Sequence, residues 1–192
     1  WLFEVGAAAD ITKANNDGIT PMLIACEQGH LSVCKWLRQV GAAADISKAD
    51  DDGYTPMYIA CQQGHLSVCK WLRQVGAAED ITKAKNDGHT PMYIACENGH
   101  LSVCKWLYKV GAAEDITKAI DDGGTFPMWI ACWKGHLPVC EWLFEVGAAK
   151  DITRATYNDK TPMWMAGLNG HLSVCKWLWE VGAAKDISKA DD

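Results

Sequence analysis

Asp17-Gly18-Ile19-Thr20-Pro21-Met22-Leu23-Ile24-Ala25-Cys26-Glu27-Gln28-Gly29-His30-Leu31-Ser32-Val33-Cys34-Lys35-Trp36-Leu37-Arg38-Gln39-Val40-Gly41 reads as two short helices joined at a glycine turn. Thr20 is a good N-cap, and Pro21 suits the first helical position because the missing N–H has no partner there anyway. The helix that follows puts Met22, Ala25 and Cys26 on one face, spaced i, i+3, i+4. Gly29 marks its end, since glycine enters the left-handed conformation of a helix C′ position without a Cβ clash. The second helix starts near His30-Leu31. Its apolar residues Val33, Trp36, Leu37 and Val40 fall at i, i+3, i+4, i+7, with Cys34 beside them. Gly41 ends it. Ala42 to Gly53 is rich in Ala, Asp and Gly, which suits an extended loop closed by a tight Asp-Gly turn.

The same unit recurs along the chain. Trp36–Lys70 laid on Trp71–Lys105 is identical at 28 of 35 positions, so the period is 35 residues. A period in this range is the mark of a stacked solenoid, whose units bury their apolar faces against one another. The chain is expected to be a single array over residues 1–192. Its units are a partial one at 1–16 and full ones at 17–51, 52–86, 87–121, 122–157 and 158–192. Trp1-Leu2-Phe3-Glu4-Val5-Gly6 matches Trp36–Gly41, so the chain starts in mid-unit and is expected to be a fragment of a longer array or a larger protein.

Asp52-Gly53-Tyr54-Thr55-Pro56-Met57, then Ala60-Cys61, Gly64-His65-Leu66, Val68-Cys69, Leu72 and Gly76-Ala77 resemble the ankyrin repeat, standing where that family places D-x-G-x-T-P-L, A-A, G-H, V-V, L and G-A. The resemblance covers essentially the whole chain. It implies an all-α repeat solenoid of stacked helix-turn-helix units with projecting β-hairpin-like loops. It also implies a concave face that docks partners. Some positions depart from the family pattern. Ala43-Ala44 and their equivalents lengthen the finger base, Phe126 is inserted in the fourth unit, and Asp159 replaces the turn glycine of the fifth. The family's His after T-P-L is Leu23, Tyr58, Tyr93, Trp129 and Trp164 here, which leaves an aromatic stripe.

Composition limits the function. The net charge is −6, so there is no basic patch of the kind nucleic acid requires. No apolar run approaches the roughly 18 residues of a membrane span, and no membrane insertion is expected. Nine cysteines look like a disulfide count, but eight form pairs eight residues apart: Cys26/Cys34, Cys61/Cys69, Cys96/Cys104 and Cys132/Cys140. Gly167 stands where the partner of Cys175 would be. An odd number at repeat-locked core positions reads as buried free thiols in a reducing, intracellular and cytoplasmic setting.

Chemistry leaves little trace. Cys26-x3-His30-x3-Cys34 has the residue types of a metal site, but it offers three ligands on two helices where zinc usually wants four converging ones. The histidines 30, 65, 100, 136 and 171 coincide with the family's inter-helix turn, so no metal or other cofactor is expected. No phosphate loop or isolated Ser/His/Asp set is present, and every cysteine but Cys175 belongs to a copied pair, so the chain is not expected to be an enzyme.

Binding remains. Framework positions repeat and contact positions drift, and the drift concentrates at the finger turn and the end of the first helix. Just after the turn stand Ile19, Tyr54, His89, Gly124 and Lys160. Just before the Gly-His turn stand Gln62/Gln63, Glu97/Asn98, Trp133/Lys134 and Leu168/Asn169, preceded by Glu27/Gln28. With Tyr58, Tyr93, Trp129 and Trp164 these form a continuous surface, which becomes richer in tryptophan toward the fourth and fifth units. The expected occupant is a protein or peptide, with the array itself monomeric. Tyr54 and Trp133 are expected to be exposed, and the stripe residues are divided between packing and binding. Two rival readings are a structural spacer and the targeting domain of a larger protein.

Overall fold

The computed structural model describes residues 10–120 and 124–182. They form five helix pairs: α1 (Pro21–Glu27) with α2 (Leu31–Gln39), α3 (Pro56–Gln62) with α4 (Leu66–Val75), α5 (Pro91–Glu97) with α6 (Leu101–Val110), α7 (Pro127–Lys134) with α8 (Leu137–Leu143), and α9 (Pro162–Leu168) with α10 (Leu172–Glu180). The first helices pack α1 on α3 on α5 on α7 on α9 as the tighter layer, and the second helices form the outer one. Met22, Met57, Met92 and Met128 lie wholly buried between layers, with Leu72, Leu107, Leu143 and Leu178. Ala60, Ala95, Ala131 and Ala166 are also fully buried and let neighbouring first helices approach closely.

The caps form as expected. Thr20, Thr55, Thr90 and Thr161 each accept a hydrogen bond from the backbone N–H three residues on, at 3.1–3.2 Å. The fourth unit differs because Phe126 takes the cap position and offers no oxygen. Its ring is wholly buried, and the Arg154 guanidinium lies 4.5 Å over it. The turn glycines 18, 53, 88 and 124 have φ between 66° and 88°, and Asp159 adopts the same left-handed geometry at φ 55°. Aspartate is among the few side chains that tolerate it.

Two expectations need correction. Among the described residues the fingers contain no β-strand. The lengthened base coils into short 3-10 helices instead, at Ala43–Ser47, Glu79–Ile81, Ala113–Ile116 and Ala149–Ile152. At the tip, Asp50 Oδ1 accepts from the N–H groups of Asp52 (3.1 Å) and Tyr54 (2.8 Å), which closes the turn on its own side chain. Successive fingers share single backbone bonds, Asp51 N–H to Asp17 O at 3.2 Å and Asn86 N–H to Asp52 O at 3.4 Å. That is too few for a ladder. The second correction concerns Val33 and Trp36, read as core residues but 41% and 45% exposed. Their equivalents Val68 and Trp71 are buried, and α2 has no described second helix before it.

The cysteines are free and, except for the partly buried Cys175, buried. Each pair of the first four units brings its sulfurs together, at 3.6, 3.6, 3.6 and 3.5 Å, an S–H···S contact between the two helices. Burial and the neighbouring sulfur push the Cys61, Cys96 and Cys132 thiols well up, so the nucleophilic thiolate is disfavoured.

The histidines join the units. His65, His100, His136 and His171 donate Nε2–H to the backbone carbonyls of Glu27, Gln62, Glu97 and Trp133 in the preceding unit, at 2.8–2.9 Å. These carbonyls lie at the ends of α1, α3, α5 and α7, where a helix leaves its own acceptors unmet.

The 3-10 turns bury four carboxylates, Asp45, Asp80, Asp115 and Asp151, whose Oδ2 atoms have no hydrogen-bond partner among the described residues. Burial raises each above its ordinary 3.8. The folded chain therefore favours the protonated form, and that contribution is lost as pH rises through the folded value.

Two outcomes follow for stability. His100→Ala should cost about 1–3 kcal/mol in denaturant unfolding, since it strands the Gln62 carbonyl; an unchanged midpoint would contradict the bond's role. Asp115→Asn should raise the melting temperature at about pH 7, with the gain shrinking as pH falls toward the carboxylate range. An equal gain at both ends of a pH series would show that charge is not the cause.

Candidate functional site

Each finger turn sits over the start of its first helix, so the drifting residues are set by the Thr-Pro cap beneath them. Tyr54 meets Tyr58 edge-on at 5.4 Å between ring centres, and His89 meets Tyr93 at 4.7 Å. In the fifth unit the Lys160 ammonium lies 4.9 Å over the Trp164 ring at the same two positions. In the fourth unit Gly124, read from the sequence as the residue after the turn, is the turn glycine itself, and Thr125 takes the position after it, its carbonyl accepting from Ile120 N–H at 2.8 Å. There Trp133, one turn along α7, meets Trp129 edge-on at 5.1 Å. An inner ring thus braces an outer group in each of units two to five, edge-to-face in three of them.

Burial divides the stripe. Tyr58, Tyr93 and Trp129 are buried, and Trp164 is 40% exposed. Burial pushes the Tyr93 phenol up to about 12, so it stays a neutral donor, reaching Thr125 Oγ1 at 3.4 Å. Trp129 donates its indole N–H to the Lys160 carbonyl at 3.0 Å, tying α7 to the next finger. Tyr54 and Trp133, expected to be exposed, are half-buried with their flanks packed on the core. Ile19, Gln62, His89, Glu97 and Lys160 are also half-buried. Gln63, Asn98, Lys134, Leu168 and Asn169 are exposed. Asn98 and Asn169 turn back on their own helices, donating to the carbonyls of Ile94 (3.0 Å) and Met165 (2.8 Å). Their side chains are engaged in ending α5 and α9.

Lys85 and Asp87 went unnoticed in the sequence reading and sit at the centre of the face. Lys85 Nζ lies 2.7 Å from Asp87 Oδ2, donates to the Tyr54 hydroxyl at 3.3 Å, and rests 4.6 Å over the Tyr54 ring. His89 Nδ1 lies 2.7 Å from Asp87 Oδ1. Burial alone would raise the Asp87 carboxyl, but Lys85 and His89 outweigh it and hold it down at about 2. A signal was available: the position of Lys85 is Asn15, Asp50, Ile120 and Thr156 in the other units, as variable as the turn itself. Lys134 pairs with Glu97 at 3.3 Å and lies 5.1 Å over the Trp133 ring.

Among the described residues no group of three or more His, Cys, Asp or Glu is placed to hold a metal ion. No helix among them is long and apolar enough to cross a membrane. The arrangement offers aromatic edges, paired lysines and turn carboxylates along one face.

A family model described as ankyrin repeats (3 copies) matches residues 1–83, 76–154 and 116–191. No curated protein matches the chain. Lys85→Ala should move the Asp87 carboxyl up from about 2 toward its ordinary 3.8, read by carboxyl carbon NMR across an acid titration; an unmoved value would show that Lys85 does not set it.

Proposed function

The chain belongs to the ankyrin-repeat family, and from that membership we propose that it is a non-catalytic module that binds a partner protein or peptide along its finger-and-first-helix face, the concave face in this family. The observation that carries the reading is the braced row of Tyr54 on Tyr58, His89 on Tyr93, Trp133 on Trp129 and Lys160 over Trp164. Each outer group is held by its inner neighbour before a partner arrives, which lowers the ordering cost of binding. Half-exposed aromatics with buried flanks are the type of residue that dominates interface energies. Ile19, Gln62, Gln63, Glu97, Lys134 and Leu168 line the same face between them. The buried free thiols support a reducing, intracellular setting, with the array acting as a monomer.

A spacer role draws on one observation, the identity of units two and three at 28 of 35 positions, since unvaried copies add length more than a tailored surface. Units four and five are varied where the face is richest in aromatics, which favours binding.

The test is affinity capture from source-cell lysate, with a Tyr54→Ala/His89→Ala/Trp133→Ala/Lys160→Ala variant shown by circular dichroism to stay folded. A partner held by the native chain should bind the variant at least roughly 30-fold more weakly, about 2 kcal/mol. If both versions retain the same proteins equally, this face is not the working surface.

A further inference from the structure

The face is not uniform in charge. Between the first two fingers and α1 and α3 lies a cavity of about 510 Å³, within the size range of ligand sites. Its apolar wall is Ile19, Leu23 and Ile59, with Tyr54 beside them. Its polar rim is Asp17, Glu27, Asp50, Asp51 and Asp52, and no lysine, arginine or histidine lines it. None of these five carboxylates joins an ion pair among the described residues. Gln62 stands in the same wall with its Oε1 buried and without a hydrogen-bond partner. The next cavity along, about 300 Å³, shares Tyr54 and Gln62, and its carboxylates Asp87 and Glu97 stand beside Lys85 and His89. Beyond it, Lys134 and Lys160 lie over the Trp133 and Trp164 rings. The carboxylates without a cation partner are therefore gathered at the first cavity, while those of the next are paired with lysines.

We propose that the cavity between the first two units docks an arginine side chain of an extended partner segment, with a neighbouring aliphatic side chain against Ile19 and Leu23. The proposal rests on the reading of this face as the partner-binding surface and names the chemistry one end of it selects. The buried Gln62 carbonyl oxygen lacks a donor, the carboxylates lack a cation although Asp17 Oδ2 accepts from the Asn15 amide at 3.2 Å, and a guanidinium carries five N–H donors in a planar fork that meets carboxylates two at a time. Asp50 already gives Oδ1 to its own turn, so its contribution is charge and the remaining oxygen. Further along, Asp87 is already paired with Lys85 and Glu97 with Lys134, so the carboxylates without a cation partner are those of the first cavity and the segment places its basic residue there.

The test is a two-dimensional NMR titration of the isotope-labelled full chain with acetyl-Gly-Leu-Arg-Leu-Arg-Leu-Gly-amide and with the same peptide carrying glutamate for arginine. The arginine peptide should shift resonances of residues 17–28 and 50–63. Its affinity should fall at least about ten-fold in an Asp17→Asn/Glu27→Gln/Asp51→Asn variant and also in about 0.5 M salt. The glutamate peptide should leave these resonances in place. Equal affinity for native chain and variant, or no binding of the arginine peptide at millimolar concentration, would overturn the proposal. Shifts that move to Trp133 and Trp164 and survive the triple substitution would overturn the arginine site yet keep the face as a binding surface. Shifts confined to the second helices would remove both.

Discussion

Every unit boundary in the described part of this chain depends on one hydrogen bond, from an imidazole N–H to the carbonyl that ends the first helix of the unit before. The helix end has acceptors and no internal donors, and the ring supplies one. The ring must lie flat on the preceding turn to do so. A Cβ at Gly29, Gly64, Gly99 or Gly135 would sit 2.5–2.6 Å from it. The same glycines have φ of 72–79°, a conformation that L side chains rarely adopt. Two independent demands thus fall on one residue, and together they set the distance and rotation from each unit to the next.

With stacking settled by methionine, alanine, cysteine and histidine at repeated positions, the finger turns and first-helix ends are free to vary. Variation has been absorbed where it touches the frame. Phe126 displaces a capping threonine, and its ring is buried under Arg154, whose guanidinium also donates to the Thr117 carbonyl at 2.8 Å. The second helices vary in parallel: Tyr108 meets Trp142 and Phe144 meets Trp177, both edge-on at 5.8 Å across unit boundaries. Both faces of the array gain aromatic content toward its far end, and on the finger side lysines lie over the rings of Tyr54, Trp133 and Trp164.

Much of this was legible in residue order, because caps and turns are local. Thr-Pro starts, glycine ends and the left-handed Asp159 need only a few neighbours to be read. What depends on distant neighbours was not legible. The β-hairpin-like fingers were what the family resemblance implied, whereas in the first two fingers the Asn15 and Asp50 side chains take the turn amides. Asn98 and Asn169 were singled out because they vary, and residue order did not show that their amides also donate to carbonyls of their own helices. Lys85 was overlooked because its partners Tyr54 and Asp87 come from two fingers. The meeting of paired sulfurs needed the crossing of the two helices, which spacing alone does not give.

The most direct test of the account is the tautomer of each boundary histidine, read from imidazole nitrogen shifts in a long-range proton–nitrogen correlation spectrum at neutral pH. His65, His100, His136 and His171 should all carry the proton on Nε2, since a carbonyl only accepts. Nδ1–H tautomers at these four positions would contradict the bond on which the stacking depends.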